Sequence, residues 1–246
     1  MMKKSLLLLL LLSSTLQAQV ITNRDESYGY AGAYAWFGQS TFSTNDTAIW
    51  RLVPTVYYEG REGFIDDTLV NYYVLPHFKL GVTGYWRPSE VGGIFASAPT
   101  GIDERKGNMD IGVTFGDQNV RATYLYDITS THSGHEVQLY VSQPLDYVFR
   151  RFELTPYLQL DWRDKKLSGH LYNVSAQEAA ASGLSQYSSD STFTYKAGLI
   201  GRYDLSRKLI VVTKAQVEAH EYNSPLVQRD YGWSLEFAVT YQFAGY

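Results

Sequence analysis

Cysteine is absent from all 246 residues, which rules out a disulfide framework and any thiolate metal site. A basic excess is also missing. The 21 Lys and Arg face 25 Asp and Glu for a formal net charge of −4, and removing Lys3 and Lys4 with a leader deepens it by two. That balance argues against a nucleic-acid partner, which requires a basic face. No apolar run approaches the roughly 20 residues of a membrane-spanning helix. The 20 glycines scatter through the chain, so no glycine-rich phosphate loop is present.

Aromatic residues make up 15% of the chain, and Tyr numbers 21 against 11 Phe. A water-soluble core would favour Phe, Leu and Ile. Tyr suits places where a ring is apolar along its body and wet at its tip, as at membrane–water girdles. A secreted β-sandwich is the alternative source of such a bias. The N-terminus carries two lysines, a leucine run over residues 6–12 and a small, polar exit ending at Ala18. This is the order of a secretory signal peptide, too short to span a bilayer as a helix. The reading is a leader over residues 1–18 and a single unit over 19–246.

The strongest pattern lies at the C-terminus. Tyr231, Trp233, Leu235, Phe237, Val239, Tyr241 and Phe243 alternate with Gly232, Ser234, Glu236, Ala238, Thr240 and Gln242. Strict alternation is a strand signal, because successive side chains point to opposite faces. One apolar face ending in aromatics and one wet face is the pattern of a transmembrane β-strand. The same alternation recurs over 28–37, 50–58, 64–73, 78–87, 109–115, 120–128, 136–142, 152–162, 193–204 and 209–220. It is least clean in 64–73, where Asp66 and Asp67 are adjacent. Short turns are predicted at 116–119, 144–147 and 205–208, and long polar connections at 100–107, 165–191 and 221–230. This asymmetry is that of an outer-membrane barrel.

The fold class predicted is therefore all-β, a transmembrane antiparallel barrel of about twelve strands with ten as the alternative. Eleven strands are clear, and either 167–174 or 92–98 is expected to supply the twelfth. Within 165–191, Ser175 and Glu178 have capping-box spacing, followed by alanines and Gly183, which predicts a short helix.

The face assignment directs Arg51, Lys79, Arg87, Arg121, Lys196, Arg202 and Lys214 inward, with Asp110, Asp127, Glu136, Glu153, Asp161, Glu218 and Glu236. Such a balance suits a lumen filled by ion pairs, since an unpaired buried charge is costly. A selective pore more often shows an excess of one sign. Glu236 and Lys214 face the same lumen from neighbouring strands, with Lys196 and Arg202 as alternative partners for Glu236. No catalytic set emerges. His132 and His135 flank Ser133 without a third, orienting group, and no further ligand spacing supports a metal there. Asp66-Asp67 and Asp103-Glu104 are adjacent pairs better read as rim or loop charges than as an acid/base dyad. Neither an enzymatic activity nor a cofactor is expected.

Two segments carry a family resemblance. Residues 172–187 read YNVSAQEAAASGLSQY, and residues 223–227 read NSPLV. Val174, Ser175, Ala179, Ser182, Gly183, Leu184 and Tyr187 match the V-S-x-x-x-A-x-x-S-G-L-x-x-Y loop of the MltA-interacting protein (MipA/OmpV) family. Ser224, Pro225 and Val227 match its D-S-P-hydrophobic-V segment, with Asn223 in place of Asp. Weaker similarity extends from Tyr28 to Phe243. The resemblance implies an outer-membrane protein in contact with lipid and without known catalysis. It further implies a scaffold linked to murein synthesis and remodelling, with a lytic transglycosylase and a bifunctional penicillin-binding protein as candidate partners. Other members imply adhesion or signalling through the loops. A small-solute porin is the remaining alternative.

Overall fold

The computed structural model describes residues 27–43, 48–149, 151–220 and 223–245. The expected leader, residues 1–18, lies outside them. Alternation becomes strand almost everywhere it was read: β1 (Tyr28–Gln39), β2 (Ile49–Gly60), β3 (Gly63–Asp66), β4 (Leu69–Leu75), β5 (Leu80–Arg87), β6 (Asn108–Gly116), β7 (Val120–Asp127), β8 (His135–Ser142), β9 (Leu145–Phe149), β10 (Phe152–Arg163), β11 (Thr192–Asp204), β12 (Leu209–His220) and β13 (Gly232–Ala244). Every neighbouring pair is antiparallel. The ladder β13–β1 joins the two ends of the chain, and β10–β11 joins the remaining edges, so the sheet closes on itself.

The barrel has twelve staves, because β8 and β9 lie in succession along β10 as one interrupted stave. Pro144 sits at the interruption, where it has no N–H to give the ladder, while the N–H of Gln143 still reaches Pro156 O at 3.0 Å. The turn predicted at 144–147 is therefore displaced. The chain reverses only after Phe149, with Arg151 in the left-handed region at φ 67°.

Neither expected source of the twelfth stave supplies it. Residues 167–174 fall largely in a helix, α1 (Lys165–Tyr172), whose N-cap Asp164 accepts the Leu167 N–H. Leu167 and Leu171, four apart, share its buried face, so capping and helical spacing prevail over a weak alternation. Residues 92–98 form no strand. The extra stave comes instead from the 64–73 segment, which splits into β3 and β4 around a two-residue turn with Asp67 at φ 51°. The adjacent aspartates mark the break. Lys79 follows a 3₁₀ turn (Pro76–Phe78) at φ 48° and pairs with Asp117 at the short-turn rim, where both border the lumen. The predicted short helix forms as α2 (Ala176–Ser182), with a full capping box from Ser175 and Glu178 and a left-handed C-cap at Gly183.

Outside, the barrel is apolar. Trp50, Leu52, Val82, Phe115, Leu158, Phe237 and many others are exposed together, an area far beyond what a soluble monomer shows. A closed ladder leaves no backbone edge where it pairs on both sides, so this band is built to face lipid. The chain is an outer-membrane β-barrel. No described helix is long and apolar enough to cross a membrane.

Candidate functional site

The lumen has two parts. Towards the long-loop rim, β5, β6, β8 and β10 aim charged side chains at one another. The Arg163 guanidinium donates to Glu136 Oε1 at 3.1 Å and to both Glu90 oxygens at 2.9 and 3.0 Å. Arg87 donates to Asp110 at 3.1 Å and to Glu136, and reaches Glu90 at 3.3 Å. Lys196 pairs with Asp161 at 3.0 Å. Glu136 is completely buried, and Arg87 and Arg163 are 3% and 2% exposed. Charges taken this far from water persist only when each is paired and hydrogen-bonded. Two participants escaped the sequence reading. Arg163 lies one residue beyond the predicted strand, and Glu90 comes from a loop with no periodicity to betray it.

Above this network the loops build an apolar dome. Phe42, Val91, Ile102, Leu167, Leu171, Tyr172, Val174 and Leu226 are buried together. Here the structure gathers the two family segments. Val174 bridges to Tyr187, and Ala179, Leu184, Tyr187 and Val227 pack on the cluster. Ser175 and Gly183 cap α2, whose last residue is Ser182. The Ser224 hydroxyl donates to Tyr172 O at 2.6 Å, opening the turn that contains Pro225. Arg105 pairs with Glu178 at 2.7 Å and holds Asn173 O. The Glu178 carboxyl is buried, yet its bonds from Ser175 together with Arg105 hold it below the usual carboxylate range. The dome meets the network through Tyr172, whose hydroxyl accepts from Arg163 at 3.2 Å and lies 2.6 Å from His220 Nδ1. Burial opposes ionisation of that phenol, but His220 and Arg163 outweigh it and lower its pKa.

Towards the short-turn rim the lumen is a vestibule of about 850 Å³, bordered by the turn residues Arg61, Pro76 and Asp117 and by Pro144 at the interruption of its stave. Tyr30, Tyr34, Tyr57, Tyr73 and Tyr140 line it, with Arg202, Lys214, Glu153 and Glu236. No dome or network residue borders it. Its charges pair both across adjacent strands and, for Arg121 of β7 and Asp66 of β3, across the lumen. Arg202 meets Glu153, Arg121 meets Asp66 at 2.7 Å, and Lys214 stands opposite Glu236 at 3.9 Å. Lys214 is thus the partner of Glu236, since Lys196 and Arg202 are taken by Asp161 and Glu153.

The candidate chemical groups do not converge. His135 points outward and stacks on Tyr124 and Tyr126, whereas His132 points in. Asp110, Asp127 and His132 do place ligand atoms within 4.8 Å of one another. However, His132 Nδ1 accepts the Gly134 N–H at 2.9 Å, so the ring proton sits on Nε2. That nitrogen is buried without a partner, and burial pushes the imidazole pKa down to about 4. A metal-bound histidine instead donates through its second nitrogen. Asp127 already accepts the N–H groups of Thr129, His132 and Ser133. Asp127 is thus taken up in closing its loop, and the protonated Nε2 of His132 does not fit a metal ligand.

Comparison with known proteins matches this arrangement to relatives. The chain is 23% identical over 206 residues to the MltA-interacting proteins of Escherichia coli K12 and Shigella flexneri, covering 78% of this chain and 81% of each relative. Among solved structures, the anion-selective porin of Comamonas acidovorans aligns at 8% identity and a TM-score of 0.31, covering 88% of this chain and 98% of the porin. OprG of Pseudomonas aeruginosa aligns at 11% and 0.27, covering 89% and 96%. The family model described as MltA-interacting protein MipA matches residues 31–243, nearly every strand of the barrel and the whole dome, and the chain belongs to that family.

Proposed function

We propose that this barrel is a non-catalytic interaction protein of the outer membrane that serves the murein-remodelling machinery from its short-turn side. The observation that supports this reading is the polarity of the lumen: packed with ion pairs and domed over at the long-loop rim, wet and open at the short-turn rim. In outer-membrane barrels the short turns face the periplasm, which is also where an exported chain with a leader over residues 1–18 would meet murein enzymes. Relatives bear the name MltA-interacting protein. A lytic transglycosylase is accordingly the first partner, and a bifunctional penicillin-binding protein the second by family resemblance. The buried network is a poor ion path, because each charge is already matched.

The test has two arms. Purified protein in detergent is expected to retain the cell's own lytic transglycosylase and to give no steady channel in planar bilayers. A reproducible open conductance from the intact protein would instead establish a porin. Absence of any retained transglycosylase, with the barrel correctly folded, would remove the scaffold reading.

A further inference from the structure

The wall of the barrel is incomplete on one side. β2 pairs with β1 along nearly its whole length, but β3 covers only Tyr57–Gly60. One further bond, from the Asp67 N–H to Val56 O at 3.1 Å, marks the limit of contact. Among the described residues, positions 49–55 have no ladder partner on that side. The hairpin arms β3 and β4 are four and seven residues long, against the roughly 9–11 that a tilted strand needs to cross a bilayer. On the far side the ladder to β5 ends at Tyr85, with the Trp86 N–H on Thr68 O at 2.9 Å. The Asp67-Thr68 turn is thus the sill of a notch between β2 and the top of β5. The notch lies within the apolar band, because the outward side chains beside it, Trp50 and Leu52, are 71% and 70% exposed.

The edge of β2 is shaped to stay free of another strand. Backbone groups of a strand point alternately to its two neighbours, and Val56 O points into the notch, so Trp50, Leu52 and Pro54 do too. Pro54 has no N–H to offer, and Trp50 O is occupied by the Arg51 guanidinium at 2.7 Å. A proline and an arginine on an open edge are the usual means of blocking strand addition. What remains includes the N–H groups of Trp50 and Leu52 and the carbonyls of Leu52 and Pro54. Pure hydrocarbon leaves such groups unsatisfied at considerable cost, whereas the ester or amide region of a lipid can meet them.

Arg51 adds a charge preference. It stands on the lumen-facing register opposite Trp36, yet it is exposed. Every other inward-facing Arg or Lys of the described strands has a carboxylate within 4.0 Å, and among the described residues Arg51 has none. We propose that the notch is a lateral binding site for an anionic membrane amphiphile, its acyl chain lying between β2 and β5 above Asp67-Thr68 and its head group on Arg51. Tyr34 and Trp36 of β1 flank the site on the lumen side, where Phe95 packs edge-on against Trp36 at 5.2 Å.

Photolabelling decides the matter. The full protein is reconstituted in phosphatidylcholine vesicles containing phosphatidylglycerol with a diazirine on one acyl chain, and adducts are mapped after illumination. Outward residues such as Phe237 are labelled in any barrel. The notch predicts adducts also on lumen-register Val53 and Thr55, and none on Val212, an inward residue with ladders on both sides. Arg51→Gln is expected to lower Val53 labelling at least five-fold and leave Phe237 unchanged, and moving the diazirine to a phosphatidylcholine should lower it similarly. Adducts confined to outward residues would overturn the site. Val53 adducts indifferent to both Arg51→Gln and head-group charge would overturn the anionic amphiphile. The wild-type map stands by itself should Arg51→Gln fail to fold.

Discussion

The two halves of the lumen are made from the same ingredients and behave differently. Both contain inward Arg and Lys matched to Asp and Glu of other strands. At the long-loop end the partners are almost wholly buried and multiply bonded, as with Glu136 between Arg87 and Arg163. In the vestibule the pairs are single and wetter, as with Lys214 and Glu236 at 3.9 Å. The difference is not in the strands. It comes from Glu90 and the dome, elements outside the alternating segments that exclude water from one end only. Exclusion of water turns a loose pair into a costly one to break.

The sharpest way to break the comparison is to remove one charge from each half. Glu136→Gln leaves Arg87 and Arg163 to share the remaining carboxylates and is expected to cost about 3–5 kcal/mol, the penalty for an uncompensated buried charge. Glu153→Gln in the vestibule leaves Arg202 near water and should cost under about 1 kcal/mol. Loss of heat-modifiable gel migration with temperature reads both. Equal shifts would mean that the network end is as hydrated as the vestibule.

A smaller effect tests whether the dome is a separable layer. Ser175→Ala removes the N-cap of α2 and should cost about 1 kcal/mol of local stability. Limited proteolysis within 165–191 should accelerate several-fold while barrel melting stays unchanged, because the strands keep their ladders. Should melting fall together with loop protection, dome and barrel would be one cooperative unit.

Much of this architecture was legible in the chain. Period-two alternation leaves a footprint in a stave whose two faces meet different surroundings, lipid and lumen, and the β13 stripe from Trp233 to Phe243 shows it without interruption. The helix α2 was legible because a capping box and a terminal glycine are local chemistry. What escaped reading was non-local or sat at an edge. Alternation through Asp66-Asp67 was read as one imperfect strand, although the left-handed turn at Asp67 makes it two short ones, and the notch follows from that. Residues 167–174, one of two candidates for the twelfth strand, are largely helical because Asp164, outside that segment, caps α1. The seven-against-seven inward charges foretold an ion-paired lumen. Nothing local could foretell which half would be sealed, since Glu90 and the dome residues reach it from loops.

The smallest expected effect is the coupling between Lys214 and Glu236. They are directly opposed in the β12–β13 ladder and same-face cross-strand pairs interact, but their 3.9 Å separation and position in a wet vestibule limit the gain. Lys214 also lies 5.8 Å from the Tyr157 ring centroid, which offers it a second contact once the carboxylate is removed. Glu236→Gln alone should therefore lower melting slightly more than Glu236→Gln combined with Lys214→Gln, with a coupling below about 1 kcal/mol. A double variant as unstable as the sum of the singles would show no coupling. A coupling of several kcal/mol would place this pair with the sealed network, and the division of the lumen into a dry half and a wet half would have to move down the barrel.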